Sequence, residues 1–226
     1  MKYNMTAEEY NILYKRHLKR SPKELLELAG LQKGMSVLDL GSGSNGRASI
    51  VAKEMGADVV IAVDDNKYID MLKKYGIEIF YGKVYEFFNT VETSFYNFPV
   101  KKFDIVIAQQ SINYWFWDDG TNGAIFEILK NNGKFVFNTF NTCPSEKITV
   151  KKYKIDDLNY CEVFNYKDGV VYHLQSADGL KPHYTEFQWI SPERFEFLLE
   201  PFDFEVKTDG NTDIYVCCKK KAKNEN

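Results

Sequence analysis

The sequence predicts an α/β protein built on a doubly wound, mostly parallel sheet of seven strands. Apolar runs of strand length, the clearest at Ser36–Leu40, residues 58–63 and Phe103–Ala108, alternate with segments of helical periodicity. This alternation is typical of parallel strands joined by helices. Two further strands are predicted near the C-terminus, at residues 204–208 and 214–219, and they favour an antiparallel hairpin.

Two helices are predicted before the first strand. Thr6 and Glu9 have the spacing of a capping box, so a helix begins there. Ser21 followed by Pro22 predicts the start of a second helix, and Gly30 is a typical residue to end it. The remaining elements are predicted as helices at residues 48–55, 68–75, 124–130 and 191–200, and as strands at residues 77–81 and 134–138.

A glycine turn follows the first strand directly. Gly41, Gly43 and Gly46 let the chain turn tightly and bring a ligand close to the backbone, and the next helix offers free amide donors. The spacing also fits a dinucleotide fingerprint. Asp39, two residues before the first glycine, argues against that alternative, because a carboxylate suits an amino or sulfonium group and repels a pyrophosphate.

Asp64 ends the second predicted strand and is placed to accept hydrogen bonds from two ribose hydroxyls. With this acid in place, the chain resembles the class I S-adenosylmethionine-dependent methyltransferases. The resemblance rests on four ordered motifs, at residues 37–43 (Val-Leu-Asp-Leu-Gly-Ser-Gly), 63–64 (Val-Asp), 103–109 and 129–137. It implies a Rossmann-like fold, S-adenosylmethionine as the methyl donor and S-adenosylhomocysteine as the product.

The resemblance also implies which residues bind the donor. One position departs from the family pattern, because Lys83 stands where an acid that bonds the adenine amino group is usual. The amide of Val84 could still meet the adenine ring, and Glu86 is a candidate to replace the acid. The implied cofactor-binding residues are Asp39, Gly41, Ser42, Gly43, Asp64, Asp65, Val84 and Gln109.

The candidate catalytic residues are Asn113 and Tyr114, at a position that the resemblance implies, and His183, from an alternating segment that is extra to the family. The first two follow the fourth strand, where the donor methyl meets the acceptor in the family. Members that carry histidine there have a general base that Asn113 cannot supply. The aromatic run at residues 115–117 is equally well explained as a cover for the end of the sheet.

Residues 145–190 are extra to the family's order of elements. They alternate like strands over residues 148–153, 161–166, 170–175 and 186–190, which predicts a small inserted antiparallel sheet.

A single domain is expected over residues 1–226, with residues 1–34 as an N-terminal helical lid and residues 145–190 as an acceptor-side β subdomain. The alternative to the lid is a plain amphipathic helix packed on the sheet. The alternative to the acceptor-side subdomain is a dimerisation sheet. The candidate lid contacts are Tyr10, Tyr14 and Arg16.

The predicted function is in-line methylation of a small-molecule acceptor at nitrogen or oxygen. Two alternatives stay open. One is an RNA or cap-type nucleic-acid methyltransferase, which the spacing of Gly43 and Gly46 and residues 109–116 also fit. The other is a non-catalytic relative that binds S-adenosylmethionine. The net charge of −3 argues against a nucleic-acid partner.

The composition bears on the cellular location of the protein and on metal binding. The 226 residues contain no apolar run of transmembrane length and no recognisable signal peptide, so a cytoplasmic protein without membrane contact is expected. The four cysteines do not have metal-binding spacing, and no metal is expected. A monomer and a homodimer are both compatible with the sequence.

Overall fold

The computed structural model describes residues 5–14, 21–92, 98–116, 119–141, 143–209 and 212–219. Arg16, Trp117 and the hairpin turn at residues 210–211 lie outside the described residues. The α-helices are α1 (Ala7–Leu13), α2 (Pro22–Leu28), α3 (Arg47–Glu54), α4 (Val84–Glu92), α5 (Asp119–Ile128) and α6 (Pro192–Leu198). The strands are β1 (Ser36–Leu40), β2 (Val59–Asp64), β3 (Glu78–Tyr81), β4 (Phe103–Ala108), β5 (Leu129–Phe140), β6 (Thr149–Ile155), β7 (Leu158–Lys167), β8 (Val170–Ala177), β9 (His183–Gln188), β10 (Phe202–Asp209) and β11 (Thr212–Lys219). Short 3-10 helices span Ile69–Tyr75 and Ile112–Tyr114.

The larger sheet has seven strands in the order β10-β11-β5-β4-β1-β2-β3. Strands β1 to β5 run parallel, and β11 runs antiparallel to both β5 and β10. The strand order reverses between β1 and β4, so the carboxyl ends of these two strands frame a crevice of the kind where such sheets bind ligands. The predicted fold class is confirmed.

Helices cover both faces of this sheet, as doubly wound folds require. Alternate strand residues point to opposite faces, so Leu38 joins the core under α4, α5 and α6, whereas Val37 joins the core under α2 and α3. Both side chains are fully buried. Two apolar layers therefore hold the strand ends of the crevice in place.

The insertion forms a separate four-stranded antiparallel sheet in the order β6-β7-β8-β9. Its inner face packs against α1 through Leu13, Tyr160 and Ala177. The cross-strand register sets Glu162 opposite Gln175, and Gln175 opposite His183. The N-terminal helix thus rests on the inserted sheet.

The prediction of a helix over residues 124–130 is wrong at the C-terminal end of that range. Helix α5 ends at Ile128, because Leu129 already pairs with Phe103 at the start of β5. A register shift follows, and Asn132 adopts a left-handed backbone, which no helix can continue through. Strand pairing at a distance here overrides a local helical pattern.

Other boundaries also differ from the predictions. Residues 69–75 form a 3-10 helix in place of an α-helix, and α4 was not predicted at all. The strand placed at residues 186–190 is in fact β9, which begins at His183. Within the described residues, no helix has both the length and the apolarity needed to cross a membrane.

Candidate active site

The glycine turn lies across the ends of β1 and β2. Gly41, Gly43 and Gly46 all have positive φ, at 73°, 67° and 50°. The amides of Gly41 and Ser42 donate to the Val63 carbonyl at 2.8 and 3.1 Å, which anchors the turn on the second strand. A left-handed backbone at these positions is accessible to glycine with little strain.

Asp64 closes the turn from the other side. Its carboxylate accepts hydrogen bonds from the Gly43 amide and the Asn66 amide, each at 2.8 Å. Burial raises its pKa to about 6, and these amide donors oppose the rise. A carboxylate offers about four acceptor sites, so Asp64 keeps capacity for further donors. Asp65 follows it and is partly exposed.

Asp39 has a different environment. Only 2% of its surface is exposed, and one carboxylate oxygen accepts from the Ser49 amide at 3.0 Å and the Ser49 hydroxyl at 2.6 Å. Burial raises its pKa to about 7. The carboxylate therefore holds the start of α3 against β1.

Two of the turn's glycines serve different purposes. A Cβ on Gly41 would lie 2.5 Å from the Ser111 Cβ, so this glycine permits the close approach of the turn to the loop after β4. A Cβ on Gly43 would meet only the Asn45 side chain, at 3.6 Å.

The residues expected near an adenine ring lie at the start of α4. Glu86 folds back and accepts from the Lys83 amide at 2.7 Å, as in a helix cap. Val84 is buried in the apolar core. Gln109, directly after β4, is half-buried and precedes Gln110, which has a left-handed backbone (φ 56°) and donates its amide to Asn138.

Asn113 is buried in the 3-10 helix after β4 and joins three parts of the chain. Its amide nitrogen donates to the Gln188 carbonyl at 3.0 Å, and its oxygen accepts from the Thr139 hydroxyl at 2.9 Å. Both ends of the side chain are engaged, so Asn113 links the loop after β4, strand β5 and strand β9.

Five side chains gather above the strand ends, and we call them the tyrosine cluster. The Tyr10 and Tyr14 rings are stacked with centroids 4.6 Å apart, and the Tyr14 ring meets the His183 ring edge-on at 6.1 Å. The Thr185 hydroxyl is buried without a hydrogen-bond partner among the described residues, and it lies near enough to oppose the burial-driven rise in the pKa of Tyr14 and of Tyr114. The cluster brings together α1, the loop after β4 and the inserted sheet.

A cavity of about 290 Å³ lies elsewhere, between the end of β9 and α6. Tyr166, Trp189 and Arg194 line it, and it shares only Gln188 with the Asn113 bridge. None of its lining residues comes from the glycine turn or the tyrosine cluster. The candidate catalytic residues Asn113, Tyr114 and His183 do not line this cavity. Among the described residues, no group of three His, Cys, Asp or Glu side chains could hold a metal ion.

Comparison with known families decides what this arrangement is. The sequence profile of a methyltransferase domain matches residues 31–190, which include the glycine turn, Asp64 and all four strands of the inserted sheet. The chain belongs to this methyltransferase domain family. The sequence resemblance predicted this family.

Named relatives agree with this assignment. The methyltransferase is 27% identical over 170 residues to the sterol 24-C-methyltransferase ERG6A of Gibberella zeae, covering 73% of this chain and 42% of the relative. Its fold is similar to an S-adenosylmethionine-dependent methyltransferase from Clostridium acetobutylicum (TM-score 0.69, 17% identity, 95% of this chain and 98% of the other). It is equally similar to CalS10 of Micromonospora echinaspora, an amino pentose methyltransferase solved with its donor bound (TM-score 0.69, 11% identity, 97% and 100% coverage).

The residues of the turn fit the methyl donor. The hydroxyls of Ser42 and Ser44, the residues on either side of Gly43, are buried without a hydrogen-bond partner among the described residues. These groups suit the polar amino-acid end of S-adenosylmethionine, and Asp64 suits its ribose. Orphaned buried hydroxyls are uncommon, and a bound polar ligand explains them.

Sequence reasoning missed some of the residues that shape the site. Ser49, Thr139 and Thr185 were not singled out, although each makes contact with a residue that was. Thr185 shares a strand face with His183 because the two are separated by one residue, and that alternation was an available signal. Thr139 on β5, the hydrogen-bond partner of Asn113, has no such signal, because it lies far from Asn113 along the chain.

Proposed function

We propose that this methyltransferase transfers a methyl group to a nitrogen or oxygen atom of a small molecule, held at the tyrosine cluster. The observation that supports this most is the position of the cluster. Asn45 of the glycine turn donates to Asn11 of α1, and Tyr14, which caps the same helix, meets the His183 ring of the inserted sheet. Donor and acceptor regions are therefore adjacent at the strand ends.

Helix α1 encloses this region from above. On the donor side, Asn45 donates to the Asn11 side chain at 3.1 Å, and Asn66 donates to the Met5 carbonyl at 3.1 Å. On the other side, the Tyr160 hydroxyl donates to the Ile12 carbonyl at 3.1 Å. In this proposal α1, tied on both sides, is the lid over the strand ends, whereas α2, the other helix of residues 1–34, packs on the sheet beside α3.

Bound at the turn, S-adenosylmethionine supplies an electrophilic methyl group on a sulfonium. The protein's own task is to hold the acceptor atom in near-attack geometry, which alone can contribute much of the rate. In this proposal Tyr114 contacts the acceptor. Asn113 positions Tyr114, because both ends of its side chain are already bonded within the protein. His183 accepts a proton, since burial lowers its pKa and leaves the imidazole neutral near pH 7.

The inserted sheet supplies the acceptor-side wall in this proposal. Its inner face presents His183, Thr185 and Phe187, of which the last contacts Tyr114 with ring centroids 5.6 Å apart. Two of the relatives named above, ERG6A and CalS10, are described as methyltransferases of a sterol and of an amino pentose, which are small molecules. Their acceptors support the class, and the acceptor of this chain is a separate question.

The proposal is tested by incubating the full chain with methyl-labelled S-adenosylmethionine and a cell extract divided into three fractions: small molecules, nucleic acid and protein. Label in the small-molecule fraction, resistant to nuclease and protease, is expected. Label confined to a nuclease-sensitive fraction would overturn the proposal. A variant with Asp64→Ala serves as the control for donor-dependent transfer.

A further inference from the structure

We propose that the indole N–H of Trp115 donates a hydrogen bond to the carboxylate at the methionine end of S-adenosylmethionine, which makes Trp115 a residue that binds the methyl donor. Trp115 ends the 3-10 helix after β4, and its side chain is partly buried. The inference concerns the methyl donor alone. It therefore stands or fails separately from the proposed acceptor.

Trp115 lies at the crevice between β1 and β4. A Cβ built on Gly41, the first residue after β1, would lie 3.4 Å from the Trp115 Nε1 atom and 2.5 Å from the Ser111 Cβ. The Ser111 hydroxyl donates to the Leu40 carbonyl at 2.6 Å, which ties the loop after β4 to the end of β1. The indole nitrogen is thus held beside the glycine turn, at the switch point where sheets of this kind bind ligands.

The indole N–H of Trp115 is buried and has no hydrogen-bond partner in the part of the chain that the structure describes. The Ser42 and Ser44 hydroxyls of the adjoining turn are buried in the same condition. A buried polar group without a partner costs free energy, so proteins keep few of them. Three such groups at one glycine turn indicate a polar ligand at that place.

The packing of the Trp115 ring does not account for its nitrogen. The ring packs against the apolar core under α4, α5 and α6, and it meets the Phe116 ring edge-on with centroids 5.9 Å apart. A phenylalanine or leucine side chain would supply apolar contacts without burying a polar atom. Because a buried indole N–H usually has a hydrogen-bond partner, this one needs an explanation beyond packing.

The chemistry of an indole selects the carboxylate. An indole N–H only donates, so its partner has to be an acceptor, and bonds to an ionised acceptor are the strong ones. The sheet order sets β4 and β2 on opposite sides of β1, so Trp115 and Asp64 flank the glycine turn from opposite sides. With the ribose at Asp64, the amino-acid end of the molecule extends toward Trp115. The ammonium group of that end balances the carboxylate, so the site needs no further cation.

The proposal is tested with two ligands that differ only in the carboxylate, S-adenosylhomocysteine and its decarboxylated analogue. Each is titrated by calorimetry into the full chain and into its Trp115→Phe variant. We expect the variant to bind S-adenosylhomocysteine at least about tenfold more weakly than the wild type, and to bind the analogue within about twofold of the wild type. An equal loss for the two ligands, or no loss for either, would overturn the proposal.

Trp189→Phe is the matched control. The Trp189 indole N–H is likewise buried without a partner among the described residues, but Trp189 lines the cavity beside α6, away from the glycine turn. This variant should bind both ligands as the wild type does. A loss of S-adenosylhomocysteine affinity equal to that of Trp115→Phe would contradict the assignment to Trp115.

The indole proton of the wild-type chain reports on the bond directly, so the test does not depend on the folding of Trp115→Phe. The chain has three tryptophans. Trp117→Phe and Trp189→Phe each remove one indole signal from a proton–nitrogen correlation spectrum, and the signal common to both variants belongs to Trp115. We expect it to move downfield on saturation with S-adenosylhomocysteine and to move less with the decarboxylated analogue. An unmoved signal, or equal shifts with the two ligands, would overturn the proposal.

Discussion

At the scale of single residues, two aspartates at neighbouring strand ends have different tasks. Asp64 faces the glycine turn and retains capacity for a ligand, whereas Asp39 is buried against the start of α3. Both are deprived of water, so both have a raised pKa. The same side chain therefore bonds to the glycine turn in one place and to the start of a helix in the other.

Replacing Asp64 by alanine should weaken S-adenosylhomocysteine binding by roughly 1.5–3 kcal/mol, the scale for hydrogen bonds to a charged group. Calorimetry on the full chain measures this. Asp65→Ala is the matched control and should change affinity little, because the amide of Gly43 in the turn bonds to Asp64. A larger effect at Asp65 would show that Asp65, and not Asp64, is the carboxylate that bonds to the ribose.

Asp39→Asn should make the protein more stable at pH 8 by up to roughly 4 kcal/mol, from the linkage between pKa and folding. The folded carboxyl has a pKa of about 7 against 3.8 for the ordinary group, so the folded state binds the extra proton between these values. Wild-type stability from this group is therefore lost as pH rises from about 4 to about 7.

Urea unfolding at pH 4, 6 and 8 checks this expectation for Asp39. The asparagine oxygen can still accept from Ser49, so the bond that holds α3 persists in the variant. The gap between variant and wild type should close near pH 4. A gap that is the same at all three pH values would contradict the assignment of the raised pKa to Asp39.

Gly41→Ala should cost at least about 2 kcal/mol of stability, because a Cβ there overlaps Ser111 and the left-handed backbone adds strain. Gly43→Ala shares the backbone strain and lacks the overlap, so its loss should be smaller. Urea unfolding of the two variants at one pH compares them. Equal losses would show that the close approach at Gly41 is unimportant.

At the scale of elements, helix α1 and strand β9 meet above the crevice. Strand β9 places successive residues on opposite faces, so His183 and Thr185 face the tyrosine cluster while Tyr184 bonds to Glu186 on the outer face. The same short strand therefore presents an inner wall and an outer surface. Its register against β8 fixes which residue faces which side.

His183→Ala should lower turnover or acceptor affinity and leave S-adenosylhomocysteine affinity nearly unchanged. Tyr184→Ala is the neighbouring control and should alter neither, since its side chain lies on the other face. Steady-state kinetics with the identified acceptor, together with donor calorimetry, measures both. A variant of His183 that abolishes donor binding would contradict the acceptor-side wall.

At the scale of the whole molecule, the two sheets must be held in one arrangement for donor and acceptor to meet. Helix α1 does this from above, and the Thr139–Asn113–Gln188 bridge does it from the side. Buried hydrogen bonds between amide and hydroxyl groups hold a defined distance, because leaving either partner unpaired is costly.

Asn113→Ala should raise the acceptor KM several-fold, leave donor affinity within about twofold, and cost roughly 1–3 kcal/mol of stability. The alanine leaves the Thr139 hydroxyl and the Gln188 carbonyl without their partner. Kinetics, donor calorimetry and urea unfolding measure these three effects. Asn113→Asp keeps the acceptor for Thr139 and loses the donor to Gln188, so it should restore only part of the stability.

The sequence by itself determined the fold class, the family and the donor. Strand periodicity is a local property, and the glycine turn followed by Asp64 is a chemical pattern that a chain carries in its order of residues. The capping box at Thr6 and Glu9 was likewise readable, and the structure confirms both of its hydrogen bonds. Each of these signals needs only neighbours along the chain.

The tertiary structure alone decided what the implied catalytic residues touch. Asn113 is bonded to residues far along the chain, and the reason for Gly41 is the Ser111 side chain from another strand's loop. Helix α1, which carries Tyr10 and is capped by Tyr14, rests on the inserted sheet. Such contacts depend on long-range packing and strand register, which distribute free energy over many residues and leave no short pattern in the sequence.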